Sequence, residues 1–130
     1  MQRGRALALV AAGAFVGAVC RYLLAVWLPD STAWLPGTLP WGTLAANALG
    51  AFALGALTAR ERAPAVSLAA GTGFCSSFST YSTFAVETVG LGGTAAALYV
   101  VGTYGVGLLA VVLGRSLARY ERTATGGAGR

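Results

Sequence analysis

The sequence predicts an all-α membrane domain with four transmembrane helices, and three observations carry that expectation. The chain has 130 residues, 56% of them hydrophobic, with a mean hydropathy of +0.69 and only 10% charged residues. A soluble domain carries roughly 25% charged residues, so this chain has too little polar surface to face water and suits a bilayer. Four apolar segments run along it, each near the roughly 20 residues that a spanning helix needs. Arginines flank these segments in alternate connections, which is the signature of a multi-pass topology. The length allows one domain, 1–130.

The first span is expected over about 6–28. Gly13, Gly17 and Arg21 recur at i, i+4 and i+8 and share one helical face. The two glycines permit close helix approach. Arg21 continues that stripe and is expected to face protein, either paired with an acid or with carbonyls, or snorkelling to the interface. A cleaved signal peptide is not expected, because Arg21 and Tyr22 stand where small residues would be needed. The connector "PDSTAWLPGTLPW" holds three prolines and is edged by Trp27, Trp34 and Trp41, as suits a membrane interface.

The second span is expected over about 39–59. Its one strongly polar side chain is Asn47, with Thr43 and Ala51 on the same face. An amide in hydrocarbon must be hydrogen-bonded or wet. Asn47 is therefore either a clamp between helices or a donor lining a pore. "RERAP" leads into a third span over about 65–89, and "GLGG" into a fourth over about 94–113. In the fourth, Tyr99, Thr103 and Gly107 are spaced by four and form a narrow polar stripe, read either as packing or as a polar pathway. The tail 123–130, "TATGGAGR", is expected to be disordered.

All nine basic residues are Arg, and there is no His, which removes the commonest acid–base group and metal ligand. The acids are Asp30, Glu61, Glu87 and Glu121. No acid pair or nucleophile–base pair is visible, so no enzyme is expected. Cys20 and Cys75 match no metal spacing and read as buried small hydrophobes. The net charge of +5 comes from arginines beside apolar spans, so topology explains it and no nucleic-acid partner is expected. Leaving aside Arg21, the arginines outside the spans split eight to zero between the two sides. The positive-inside rule then places both termini in the cytoplasm.

The third span contains the least ordinary stretch, "GFCSSFSTYSTFAVE". Ser76, Ser77, Ser79, Thr80, Ser82 and Thr83 crowd six hydroxyls into eight positions. Such side chains compete for backbone hydrogen bonds and invite a break at the helix centre. A break at membrane depth is tolerated only where it is buried in protein or faces water. It frees carbonyl oxygens, which suit a hard cation. It also frees amides which, with hydroxyls and the positive edges of Tyr81 and Phe84, suit an anion. A basic side chain would bind an anion too tightly for flow, since conduction needs weak multi-site binding. The residues alone point to a pore for a small hard anion.

Here the chain resembles the CrcB/Fluc family of fluoride channels over about Gly13 to Gly114. "TGFCSSFSTYSTFAVE" is similar to that family's glycine- and threonine-rich break followed by two phenylalanines. "WGTLAANALGAFALG" resembles its second span and "GAFVGAVCRY" its first. The resemblance implies an antiparallel dimer with two fluoride pores and a central structural sodium ion. It assigns the sodium to the backbone carbonyls of Ser76 and Ser79, and the pore rings to Tyr81 and Phe84. Asn47 becomes the second-span donor, Tyr99 and Thr103 the fourth-span polar track, with Thr83 also lining the pore. Arg21 and Glu87 become charges near the pore mouths. Two positions depart from the family pattern: Ser76-Ser77 replaces a Gly-Gly pair, and Tyr81 replaces the first Phe. Ser would be strained at either site if positive φ were needed there.

The leading expectation is a fluoride-specific channel subunit that lets fluoride leave the cytoplasm. The one-sided arginines further imply an oppositely oriented homologous subunit as partner. Two alternatives are a non-conducting partner subunit of a heterodimeric channel and a small multidrug-type exporter. The exporter needs an acid in its first span, where this chain has Arg21 and no acid.

Overall fold

The computed structural model describes residues 2–28 and 39–127. The loop expected over 29–38, with Trp34 and most of its prolines, lies outside the described residues, as do positions 128–130. Helix α1 spans Arg3–Trp27 and α2 spans Trp41–Thr58. A single turn, α3 (Pro64–Val66), leads directly into a π-helix, Ser67–Cys75, and then a further turn, α4 (Ser76–Phe78). After Ser79 and Thr80 the chain resumes as α5 (Tyr81–Leu91), then α6 (Gly93–Gly127). Pro64 sits at the first position of α3, where its missing N–H has no helical partner to lose. Gly92 (φ 62°) and Gly93 (φ 49°) make the turn into α6 in the left-handed region, where a side chain would be strained.

Three helices among the described residues are long and apolar enough to cross a bilayer: Arg3–Trp27, Trp41–Thr58 and Gly93–Glu121. The third hydrophobic segment is divided, and neither part spans alone. α6 continues past Leu113 to Gly127, so residues 123–127 are helical where the sequence leads one to expect a disordered tail. Ala, Leu and Arg between Arg115 and Arg122 are strong helix formers and carry the helix, already nucleated in the span, up to that stretch.

The packing is tightest where side chains are smallest. α1 lies against the π-helix, and a Cβ built on Gly13 would collide with the Ala69 carbonyl oxygen. One turn on, Gly17 meets the Phe74 carbonyl in the same way. The two glycines thus let backbone meet backbone. α2 packs along α6 by the same device, Gly55 against Val111 and Gly114 against Phe52. At the end of α2, Arg60 donates from Nε to the Ala118 carbonyl at 2.8 Å and pairs with Glu121 at 3.0 Å, tying the following turn to α6. Large apolar residues face outward, Phe15 at 72% exposure and Val89 at 83% among them. That surface matches lipid rather than water. The core is thin and gathers at the break: Ala46, Cys75, Phe78, Phe84 and Tyr99 are all buried.

Candidate functional site

The site begins as a backbone problem. α4 ends at Phe78, and Ser79 (φ −77°, ψ 158°) and Thr80 (φ −145°, ψ 126°) are extended before α5 starts. Extended backbone in a helical bundle has polar groups with no ladder to join. α2 supplies the missing partner. Asn47 Nδ2 donates to the Thr80 carbonyl at 3.0 Å, and the Thr80 N–H donates to Asn47 Oδ1 at 2.7 Å. One side-chain amide thus satisfies both backbone groups of Thr80, as a neighbouring strand would. One turn along α2, Gly50 allows the approach: a Cβ there would sit 3.2 Å from Ser79 Cβ.

Thr80 also caps α5. Its Oγ1 accepts from the Thr83 N–H at 3.3 Å and donates to Thr83 Oγ1 at 3.0 Å. Ser79 Oγ donates back to the Cys75 carbonyl at 2.8 Å. These bonds have a consequence for two carbonyls. In an unbroken helix the Thr80 N–H would go to the Ser76 carbonyl, and the Thr83 N–H to that of Ser79. Asn47 takes the first donor and the Thr80 hydroxyl takes the second. The carbonyls of Ser76 and Ser79 are thereby relieved of their ordinary helical donors. Carbonyl oxygens are the kind of ligand that hard cations take. Among the described residues, no group of three or more His, Cys, Asp or Glu side chains offers an alternative metal site. Among the described residues none other than glycine has positive φ, so Ser76 and Ser77 stand without that strain.

Ser76, Ser79, Asn47, Tyr81, Phe84 and Thr103 all line one open groove of about 790 Å3 between α2, the divided segment and α6. Thr103 Oγ1 is buried beside it without a hydrogen-bond partner. Tyr99 lies deeper, 1% exposed. Its hydroxyl donates to Glu87 Oε2 at 2.7 Å, while Thr43 Oγ1 donates to Glu87 Oε1 at 2.7 Å. Glu87 thus bridges α5 to both α2 and α6. Phe84 is surrounded by rings, its centroid 5.2 Å from Tyr99, 6.1 Å from Tyr81 and 6.0 Å from Tyr104. On the opposite side of the break, Arg21 borders a smaller cavity of about 260 Å3 together with Thr43, Thr80 and Thr83. The stripe Gly13, Gly17, Arg21 therefore packs its glycines on the π-helix and brings Arg21 to the start of α5.

The structure brings the residues singled out in the sequence to one region, on two faces of the break. Three participants carry no distinct signal in the sequence. Thr43 is visible only as a neighbour of Asn47, and Thr80 only as one hydroxyl of six. Tyr104 has no sequence signal, since its contact depends on the register of α5 against α6.

The chain is similar over most of its length to known membrane proteins. The family described as "CrcB-like protein, Camphor Resistance (CrcB)" matches residues 8–115. The Fluoride-specific ion channel FluC 1 of Natronomonas pharaonis is 51% identical over 122 residues, covering 90% of this chain and 97% of that protein. The Fluoride-specific ion channel FluC 2 of Halobacterium salinarum is 44% identical over 124 residues, covering 91% and 90%. The Fluoride-specific ion channel FluC of Chlorobaculum tepidum is 42% identical over 121 residues, covering 85% and 92%. With three long apolar helices and relatives of this kind, the protein is a multi-pass membrane protein. The match over residues 8–115, from within α1 into α6, makes the chain a member of the CrcB-like family.

Proposed function

We propose that this chain is a subunit of a fluoride-specific ion channel that lets fluoride leave the cytoplasm. The observation that carries the reading is the helix interruption at Ser79–Thr80, clasped by Asn47 and opening onto a groove lined by hydroxyls and aromatic rings. Among the described residues, no Arg lines that groove. A small anion entering it exchanges water for the hydroxyl donor at Thr103, for the remaining amide hydrogen of Asn47, and for ring edges of Tyr81 and Phe84, while Thr83 offers its hydroxyl to the smaller cavity across the break. Such contacts are individually weak, as conduction requires. Arg21 draws anions to the smaller cavity across the break, and Thr103 and Gly107 of the α6 stripe border the groove while Tyr99 lies beneath it. Glu87 is the second charge of the pathway, held by Thr43 and Tyr99.

A sodium ion fits the carbonyls of Ser76 and Ser79. When bound, it supplies fixed positive charge that holds two interrupted helices together. One chain offers two such carbonyls, fewer than the six to eight oxygens typical of a hard cation such as calcium. A second, antiparallel subunit would complete the set across the open groove. In this reading the interruption lies at the dimer centre, and both termini of this chain are cytoplasmic. The arginine split of eight to zero argues that the partner is an oppositely oriented homologue.

Fluoride efflux from proteoliposomes containing the assembled channel tests the proposal. Rapid fluoride release with chloride retained is the expected outcome. A chain that releases no fluoride, alone or with an oppositely oriented homologue, overturns it.

A further inference from the structure

We propose that Tyr104 is a positioning residue for the fluoride pathway: it fixes the orientation of the Phe84 ring and so decides whether edge or face meets the ion. The proposal rests on the fluoride-channel reading above. An aromatic ring is positive at its edge and negative on its face. The same side chain therefore attracts or repels an anion according to a rotation about one torsion. Phe84 is only 7% exposed and lines the groove, so its orientation matters and its room is limited.

Three rings border Phe84, and they differ in what they specify. Tyr81 lies at an interplanar angle of 46° and Tyr99 at 41°. A ring tilted near 45° to a neighbour presents neither edge nor face cleanly, so these contacts choose weakly between orientations. Tyr104 stands at 88°, an edge-to-face contact with a centroid distance of 6.0 Å. That geometry is lost if Phe84 turns by a quarter rotation. Tyr99 is itself anchored by Glu87, so it supplies a rigid wall. Tyr104 is 58% exposed and borders the groove. Beside it, Cβ positions built on Gly105 and Gly107 meet nothing within 4 Å.

Fluoride flux through the assembled channel in liposomes, measured on Tyr104 variants, tests the assignment. Tyr104→Phe keeps the ring and is expected to support fluoride release near the wild-type rate. Tyr104→Leu and Tyr104→Met fill comparable space without a quadrupole and should lower it roughly three- to tenfold, the range an edge-to-face pair is worth. In a Phe84→Leu background, Tyr104→Leu should have no further effect, which a general packing defect would not produce. Two non-aromatic variants are used so that misfolding of one, read by elution profile, leaves the other. Equal flux from wild type, Tyr104→Leu and Tyr104→Met overturns the proposal, as does an equal loss in Tyr104→Phe, which would assign the role to the hydroxyl. A wild-type channel without fluoride flux instead overturns the channel reading on which the proposal depends.

Discussion

Asn47 on α2 holds both backbone groups of Thr80, accepting from its N–H at 2.7 Å and donating to its carbonyl at 3.0 Å. The two alternatives that the sequence leaves open for Asn47, clamp and pore donor, are compatible. The amide uses one of its two N–H bonds on Thr80 and borders the groove with the rest. Asn47→Asp loses the donor and sets an oxygen against the Thr80 carbonyl. Asn47→Leu leaves two buried backbone groups unpaired, at about 1–3 kcal/mol each. Both variants are expected to melt earlier in detergent and to carry less fluoride. Wild-type melting and flux in Asn47→Leu would remove Asn47 from both roles.

The Glu87 bridge predicts coupled losses. Thr43→Val and Tyr99→Phe each remove one hydroxyl bond to the same carboxyl group. Each should cost about 1–2 kcal/mol in denaturant unfolding, and the double variant should depart from the sum by at least about 0.5 kcal/mol. Strict additivity would mean that Glu87 does not bind the two helices as one unit.

Glycine substitutions separate packing from mere smallness. Gly17→Ala drives a methyl into the Phe74 carbonyl, which only a backbone shift can relieve. A loss of about 1–3 kcal/mol is expected, as for overpacked cores. Gly102→Ala meets nothing within 4 Å and should leave the melting temperature of the same preparation unchanged. Equal melting of both variants would mean that α1 is not held by backbone contact.

Sodium dependence should be insensitive to the side chain at position 76. Ser76 is exposed, and the proposed ligand there is its carbonyl. Ser76→Ala is therefore expected to keep fluoride flux within about twofold, because removing an exposed hydroxyl changes little. Exchange of sodium for a large organic cation during purification should abolish flux. Flux that survives that exchange argues against a sodium site, and a large loss in Ser76→Ala points to a side-chain ligand.

Topology is testable without any ion. A reporter fused to the C-terminus should signal only from the cytoplasmic side, since the arginines outside the spans split eight to zero. Equal signals from both sides, with full fluoride resistance from this chain alone, would establish a homodimer and exclude an obligatory partner.

The sequence by itself determined the solvent and the elements. Apolar runs near the bilayer thickness, with arginines in alternate connections, leave few options besides a multi-pass helical protein. Gly13, Gly17 and Arg21 were legible as one stripe because helical period is a local property. The crowded hydroxyls from Ser76 to Thr83 marked a place where side chains compete with the helix. What tertiary structure alone decided is where that competition ends. Ser79 and Thr80 are the extended pair because α2 carries Asn47 at that height and Gly50 lets it come close. The groupings of Glu87 with Thr43 and Tyr99, and of Phe84 with Tyr104, join residues on different helices. Helix periodicity states which residues share a face. It does not state the axial register between helices, which here is set by backbone packing at glycines and by one bridging carboxyl group.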